Sequence, residues 1–318
     1  MREVKSLLRP LALASLIANI GLIVTGGAVR LTGSGLGCPT WPKCTDASYT
    51  TTEAMGVHGV IEFGNRLLNF VLIAVALGCV FEAFRLRPRR WPLIVLSLGV
   101  LAYIPVQAVV GGITVLTKLN PWVVGVHFLA SIGLITVAYA LWRRTAEGDR
   151  APRLLVPPPL RQLGALTAIA GGAVIAVGVV VTGSGPHAGD EHAKRTGLDP
   201  AAVAQAHADL VFLLIGLTVA LVLALRATHA PAAAVRAAVV LLAIEFGQGL
   251  IGFVQYFTHL PIVLVGVHLL GAALVWVGIL NVLWSMRSRD TEVTPQRVES
   301  PQSRAMTASA SRSAAPGA

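Results

Sequence analysis

Charged residues are scarce in this chain: they make up 13% of its 318 residues, whereas hydrophobic residues make up 55%. This composition leaves too little polar surface to coat a soluble globule, which excludes a soluble globular protein. Apolar stretches long enough to cross a hydrocarbon core of about 30 Å recur along the sequence. They lie at residues 10–29, 67–81, 91–117, 119–142, 162–181, 201–225, 237–257 and 261–286. We therefore predict an all-α integral membrane protein with eight transmembrane helices.

Acidic residues are fewer than basic ones, 15 against 25, which gives a net charge of +10. Such a balance occurs in nucleic-acid-binding proteins, but here the bases cluster in alternate loops, the pattern that sets membrane topology. The clusters are Arg2, Lys5 and Arg9; Arg85, Arg87, Arg89 and Arg90; Arg143, Arg144, Arg150 and Arg153; Arg226 and Arg236; and Arg287 and Arg289. We therefore expect a plasma-membrane protein with both termini cytoplasmic and no nucleic-acid partner. No small-residue cleavage site ends the first apolar stretch before Arg30, so we expect no cleaved signal peptide.

Cysteine is also scarce, with three residues in the chain. Cys38 and Cys44 close a short loop that the predicted topology places outside, where a disulfide persists. We predict that the pair is bridged, and the bridge either rigidifies the loop or is redox-active. Cys79 lies within an apolar helix, where a small core residue is expected.

The sequence is a duplicated unit. Twenty residues separate Gln107 from His127 and also Gln248 from His268, and TGSG occurs at 32–35 and again at 182–185. Because each copy holds four helices, both copies insert in the same orientation. We predict two four-helix bundles related by a pseudo-twofold axis along the membrane normal. The predicted boundaries are an N-terminal half at 1–142, a cytoplasmic connector at 143–160, a C-terminal half at 161–286 and a disordered cytoplasmic tail at 287–318.

Four histidines occupy the duplicated positions: His58, His127, His207 and His268. Each is expected a few residues inside an even-numbered helix, roughly 10 Å below the outer interface. The second and fourth helices of a bundle face each other, which pairs His58 with His127 and His207 with His268. Such facing imidazoles suit the two axial positions of haem iron. The alternative for any single one is an interhelical hydrogen bond, and zinc is disfavoured because neither pocket offers a third nitrogen or sulfur ligand.

The remaining histidines lie in or beside loops, where solvated surface residues are expected: His187, His192, His229 and His259. The alternative for His187 and His192, in the outward stretch GPHAGDEHAKR, is to cap the edge of a cofactor. The copies differ in their acids. Glu62 follows His58 by one helical turn and Arg66 follows Glu62 by another, so the three share a face, whereas Val211 stands at the corresponding place in the second copy. Glu62 either neutralises Arg66 in an ion pair or lines the first pocket. The asymmetry suggests that one pocket performs chemistry and the other holds a permanent cofactor. Glu245 is an intramembrane acid with a proton-path or structural role.

Three segments, GGAVRLTGSGLGCPTWPKC, GGITVLTKLNPWVVGVH and VVVTGSGPHAGD, resemble the haem A synthase family, and the likeness extends to about Met286. The resemblance implies oxidation of the C8 methyl of haem O to a formyl group, which makes haem A for terminal oxidases. It implies a permanent haem b whose iron is held by His207 and His268, and a substrate haem near His127 and Glu62. It also implies catalytic roles for Glu62 and Arg66, and partnership with a haem O synthase and an electron donor.

One position departs from the family pattern. Many members carry Glu-x-x-His-Arg in the second helix, whereas this chain has Asn65 in place of that histidine. The substrate iron then has either His58 and His127 as ligands or His127 alone. Two competing interpretations remain at this stage: a dihaem b-type electron-transfer cytochrome that leaves haem unmodified, and a repeat-built transporter.

Overall fold

The computed structural model describes residues 6–289, which contain eight long helices. Each is long and apolar enough to cross a membrane, which confirms the predicted all-α membrane fold. The helices are α1 (Leu8–Leu31), α2 (Gly56–Arg85), α3 (Trp91–Leu116), α4 (Pro121–Arg144), α5 (Pro158–Ser184), α6 (Pro200–Ala227), α7 (Ala232–Phe257) and α8 (Ile262–Ser285). We call the end of the bundle with the arginine clusters the basic end, and the end with Cys38 and Cys44 the disulfide end.

Helix starts at the disulfide end have local causes. The Asn120 side chain accepts a hydrogen bond from the Trp122 amide at 3.0 Å at the start of α4, and the Asp199 carboxylate caps α6. The apolar stretch at 67–81 is only part of α2, which begins at Gly56 and contains His58, as expected. The turns before residue 67 contain the charged residues Glu62 and Arg66, so they do not belong to an apolar stretch. These charges are satisfied by contacts with each other and with the loop that Cys38 and Cys44 close.

The helices pack as two groups of four. In the first group α1 packs on α2 and α4, while α3 packs on α2 and α4; α5–α8 repeat the same pattern. Between the groups, α1 packs on α8, α4 on α5 and α4 on α8. In the predicted pseudo-twofold relation, α1 corresponds to α5 and α8 corresponds to α4. The contact of α1 with α8 should then have a counterpart in a contact of α5 with α4, and both contacts are present. That relation and the exact half boundaries stay predictions.

The turn between the third and fourth helix is the same in both groups. Lys118 and Leu119 have φ of 53° and 57°, and His259 and Leu260 have φ of 61° and 60°. The Leu119 amide donates to Thr114 at 2.8 Å, and the Leu260 amide donates to Gln255 at 2.7 Å. Two consecutive non-glycine residues in the left-handed region are uncommon, so this turn repeats an unusual backbone geometry.

The connector is tied to the end of α8. Its strand β1 (Arg153–Leu154) pairs antiparallel with β2 (Arg287–Ser288). The first residues of the predicted tail are thus part of a two-stranded sheet, and the rest of the predicted tail, 290–318, lies outside the described residues, as do Arg2 and Lys5.

A cluster of charges reinforces this junction at the basic end. Glu147 accepts hydrogen bonds from Arg144 at 2.8 Å and from the Trp284 indole, and Arg144 is 5% exposed. Asp149 pairs with Arg90 at 2.9 Å. The hydrogen bond from Arg90 lowers the pKa of the Asp149 carboxyl below its usual 3.8, so this contact is present at neutral pH and is lost only when the pH falls below that range. The connector is thereby fixed to α3, α4 and α8.

Replacing Glu147 by alanine is expected to destabilise this junction. The substitution leaves the buried Arg144 with Asp149 as its remaining carboxylate, and we expect a loss of about 1–3 kcal/mol. A thermal unfolding midpoint lowered by about 5 °C in detergent would register it. Glu191→Ala removes a carboxylate that is 85% exposed and serves as the control. Equal midpoints for the two variants would contradict the structural role of Glu147.

Candidate functional site

The four predicted histidines do not lie at one depth. His127 and His268 are six residues past the first residue of α4 and α8, and His207 is seven past that of α6. His58 is only two residues past the start of α2. The expected common depth is therefore wrong for His58. Asn65 is twenty residues before the end of α2, and His207 is twenty before the end of α6. Asn65, rather than His58, occupies the depth of His207.

His207 and His268 face each other between α6 and α8. Their ring centroids are 6.4 Å apart and their planes cross at 73°. A metal ion between the rings would form two metal–nitrogen bonds of about 2 Å each. These bonds, together with the distance from each ring nitrogen to its ring centroid, add up to about the observed separation of the centroids. Nδ1 of both rings is buried without a hydrogen-bond partner. The spacing of the two rings would therefore accommodate one metal ion between them.

Glycines line this pair. A Cβ atom at Gly178 of α5 would lie 3.0 Å from Cε1 of His207, and one at Gly252 of α7 would lie 3.6 Å from Cε1 of His268. The absence of side chains at both positions leaves room for the rings and for a flat group between them. Residues 6–289 contain no group of three or more His, Cys, Asp or Glu side chains suited to a metal ion. Two imidazoles alone fit a metal whose other ligands come from a macrocycle, as in haem.

The N-terminal half repeats only one side of this arrangement. His127 of α4 lies against Gly111 of α3, where a Cβ atom would be 3.2 Å from its Cε1. Its Nδ1 is also buried without a partner. Gln107 donates to the His127 carbonyl at 3.3 Å, and Gln248 donates to the His268 carbonyl at 3.2 Å. These repeated contacts give His127 and His268 the same setting.

The residue of α2 that corresponds to His207 is not a histidine but Asn65. Asn65 has a buried Oδ1 without a partner. His58 lies seven residues earlier on α2, which places it roughly 10 Å nearer the disulfide end. Its side chain is exposed, and its Nδ1 is 2.9 Å from the Ser34 hydroxyl. The structure thus does not bring His58 and His127 together as it does His207 and His268.

Glu62 lies between the Asn65 position and the disulfide end. It is 5% exposed, and its two carboxylate oxygens accept from the Cys38 amide at 2.7 Å and from Arg66 at 2.6 Å. Arg66 also donates to the carbonyls of the loop that Cys38 and Cys44 close, at Cys38, Thr40 and Lys43. The Glu62–Arg66 ion pair expected as one alternative is therefore present, and it anchors this loop.

The predicted disulfide between Cys38 and Cys44 is confirmed. Its loop, residues 38–44, covers the disulfide end of the N-terminal half. The Trp41 indole lies against Gly112 of α3, next to Gly111, which contacts His127. Cys79, as expected, is fully buried. The loop thus closes the pocket of His127 on one side.

Removing the Glu62 carboxylate is expected to loosen this loop. In a Glu62→Ala variant the buried Cys38 amide loses its acceptor, and Arg66 loses its counter-ion. We expect hydrogen exchange of the 38–44 amides to accelerate by roughly tenfold, the equivalent of a hydrogen bond of about 1.4 kcal/mol. Glu53→Ala, which removes an exposed acid near the same loop, provides the control. Unchanged exchange in Glu62→Ala would show that the disulfide alone orders the loop.

Two other residues differ in how they match expectation. His187 is not a solvated surface residue: its Nε2 is 2.9 Å from the Leu260 carbonyl and the side chain is partly buried between the halves. The expectation overlooked that the 185–195 loop folds back onto the α7–α8 turn.

Glu245 is 3% exposed and accepts from the Thr218 hydroxyl at 2.9 Å, while its other oxygen has no partner.

These features define the class: an eight-helix integral membrane protein with two histidines that face each other inside the helix bundle. A family described as cytochrome oxidase assembly protein, COX15-CtaA, matches residues 9–280. The chain belongs to this family.

Individual relatives are similar over part of the chain. A protein named Heme A synthase from Staphylococcus epidermidis is 30% identical over 155 residues, which is 45% of this chain and 48% of that protein. The Heme A synthase of Staphylococcus haemolyticus is 29% identical over 49% of this chain and 53% of its own length. That of Geobacillus kaustophilus is 30% identical over 41% of this chain and 40% of its own. The chain spans about half the length of the curated relatives it matches.

Proposed function

We propose that this protein is a haem A synthase, an oxidoreductase that converts the C8 methyl of haem O into a formyl group. The observation that carries this proposal is the asymmetry between its two halves. One half has a pair of facing histidines, and the other has one histidine, an asparagine at the position that repeats His207, and a buried acid. The family membership and the relatives named Heme A synthase support the same reaction. A dihaem electron carrier, the competing function, gives no reason for two unlike sites.

In this proposal the C-terminal half holds a permanent haem b on His207 and His268. The spacing of the facing rings and the flanking glycines fit that group. When bound, the haem supplies one-electron redox chemistry that no side chain of this half provides. The protein's own contribution is to fix both imidazoles and to exclude water from the site.

The N-terminal half then receives haem O, with His127 as the protein ligand to its iron. We leave His58 out of this ligand set, because its side chain is exposed and bonded to Ser34. Asn65 occupies the opposite side and offers an amide that is a poor iron ligand. The substrate iron would have an open position on the Asn65 side.

Glu62 and Arg66 are the proposed catalytic pair. Each of two successive oxidations would insert one oxygen atom of dioxygen into a methyl C–H bond, while two electrons from the proposed donor and two protons reduce the other oxygen atom to water. The first gives an alcohol and the second a geminal diol, which loses water to leave the aldehyde. Glu62 would hold and transfer protons in these steps, and Arg66 would keep its carboxylate in place. The 2.6 Å ion pair and the burial of Glu62 support this role, since they fix one carboxylate near the pocket of His127.

The proposed location is the plasma membrane, with the basic end cytoplasmic and the disulfide end outside. The arginine clusters at one end and the disulfide at the other support this orientation. A haem O synthase and an electron donor are the proposed partners, since the substrate must be delivered and its oxidation requires an electron path.

The test is mass analysis of haems from a bacterial host that makes haem B but no haem A and that co-expresses this chain with a haem O synthase. Haem A or its hydroxymethyl intermediate is expected. A Glu62→Gln variant, which keeps the shape of the side chain, should lower conversion by roughly 100-fold. Unmodified haem O alone, from protein that has bound haem, would contradict the proposal and favour the electron carrier.

A further inference from the structure

A cationic cleft lies at the disulfide end, where the two halves meet. It has a volume of about 160 Å³, and its walls include Arg30 from the last turn of α1 and Arg195 from the loop before α6. The two guanidinium groups donate to adjacent carbonyls of one loop, Arg30 to His187 and Arg195 to Pro186. Within residues 6–289 neither arginine forms an ion pair with an acid. Two unneutralised arginines beside one cleft are an arrangement that an anion would stabilise.

The acids in the same cleft do not supply that anion. Asp190 accepts from the amide of His192 at 2.8 Å, and Glu191 is 85% exposed and lies 3.6 Å from the His192 ring. The arginines instead donate to backbone carbonyls: Arg30 to His187 at 2.5 Å and to Thr182 at 2.7 Å. A guanidinium has five N–H donors, so these two bonds leave donors of Arg30 for a ligand.

Direct contacts connect this cleft to the histidine pair of the C-terminal half. Thr182, which accepts from Arg30, donates through its hydroxyl to Gly178 at 2.8 Å, and Gly178 lies against His207. Four residues of helix separate Thr182 from Gly178, which is about 6 Å along α5. Arg30 therefore lies about one helical turn from the His207 ring, on its disulfide-end side.

Helix α1 also packs beside His268, the other histidine of the facing pair. A Cβ atom at Gly27 would lie 2.6 Å from the side chain of Leu269, which follows His268, and one at Gly266 would lie 3.7 Å from Leu31. The last turn of α1 thus packs against the turn of α8 that carries His268. Arg30, between Gly27 and Leu31, borders the C-terminal site although it belongs to the N-terminal half.

We infer that Arg30 and Arg195 bind the propionate carboxylates of the haem held by His207 and His268. A haem bound there must place two carboxylates, and carboxylates are costly inside hydrocarbon. His207 is seven residues from the disulfide end of α6 and twenty from the basic end, or about 10 Å against 30 Å. The carboxylates therefore face the disulfide end, where this cleft lies. Arginine is the side chain that binds carboxylates with two parallel hydrogen bonds.

This inference rests on the proposed haem b site, and one titration series tests both. The full-length protein, purified in detergent and stripped of haem, is titrated with haem b and separately with haem b dimethyl ester, which has no carboxylates. Ligation by two histidines is followed by absorbance. We expect wild-type protein to bind haem b at least about tenfold more tightly than the ester.

Arginine variants test which side chains cause the tighter binding of haem b over its ester. Arg195→Gln is expected to lower the affinity for haem b about tenfold and to leave the affinity for the ester unchanged. Lys194→Gln removes an equal charge from the neighbouring exposed residue and should change neither. Arg30→Lys keeps the charge but not the planar fork, and should lose part of the preference.

Three outcomes overturn the inference. Equal affinity of wild-type protein for haem b and its ester would do so without any variant, and would leave the haem site itself intact. If Arg195→Gln lowered the affinity for haem b and for its ester equally, the arginines would instead stabilise the loop or bind a lipid phosphate. Failure of wild-type protein to bind either ligand with histidine ligation would overturn the proposed haem b site as well.

Discussion

A His268→Ala variant is expected to lose the haem of the C-terminal half. His207 and His268 are the facing pair, and removing one imidazole leaves a single ligand in a pocket shaped for two. Loss of a residue that merely orients a ligand lowers metal affinity 10–100-fold, so loss of the ligand itself should lower haem affinity by more than about 100-fold. Haem content per protein and the low-spin absorbance of the purified variant measure this loss.

His207→Ala should give the same result, because both ligands contribute to one iron. The matched control is His192→Ala, which removes an imidazole that is 87% exposed and should retain wild-type haem content. A His268→Ala protein with unchanged low-spin absorbance would refute the ligand assignment. Folding of the variants is checked independently through the Cys38–Cys44 disulfide, which lies in the other half.

An Asn65→His variant is expected to create a second site with two histidine ligands. Asn65 has the depth on α2 that His207 has on α6, and its Oδ1 is buried without a partner. An imidazole there would face His127 as His207 faces His268. With haem in both halves, the bis-histidine signal per protein should about double, as measured by electron paramagnetic resonance.

His58→Ala is the matched variant on the same helix. Because His58 is bonded to Ser34 nearer the disulfide end, its loss should leave the ligation state in the N-terminal half unchanged, whereas His127→Ala should abolish haem binding there. A change in the ligation state in His58→Ala would contradict the proposal that His127 is the single protein ligand.

The repeat and the eight helices were readable from the sequence because each depends on local pattern. Spanning length, apolar composition and the arginine clusters are properties of short segments, and membrane insertion acts on such segments. The spacing from Gln107 to His127 and from Gln248 to His268 was equally visible, although its structural reason was not. Both glutamines donate to the carbonyl of the histidine twenty residues later.

The position of His58 could not be predicted by counting residues from the outer ends of apolar stretches. The early turns of α2 carry Glu62 and Arg66, whose charges are tolerated because the loop from Cys38 to Cys44 supplies the Cys38 amide and several carbonyls. Those partners lie more than twenty residues away in sequence. His58 therefore lies only two residues inside α2. Counting back from the last residues of α2 and α6 shows that Asn65, and not His58, is the counterpart of His207.

The sequence by itself determined that this chain spans the membrane with eight helices, repeats one histidine at His127 and His268, and closes a disulfide loop, since these follow from composition and spacing. The tertiary structure decided which histidines face each other, what Glu62 contacts and that Arg30 of one half borders the pocket of the other. The physical reason is that facing, burial and ion pairing depend on how helices distant in sequence pack together, and no local pattern encodes that packing.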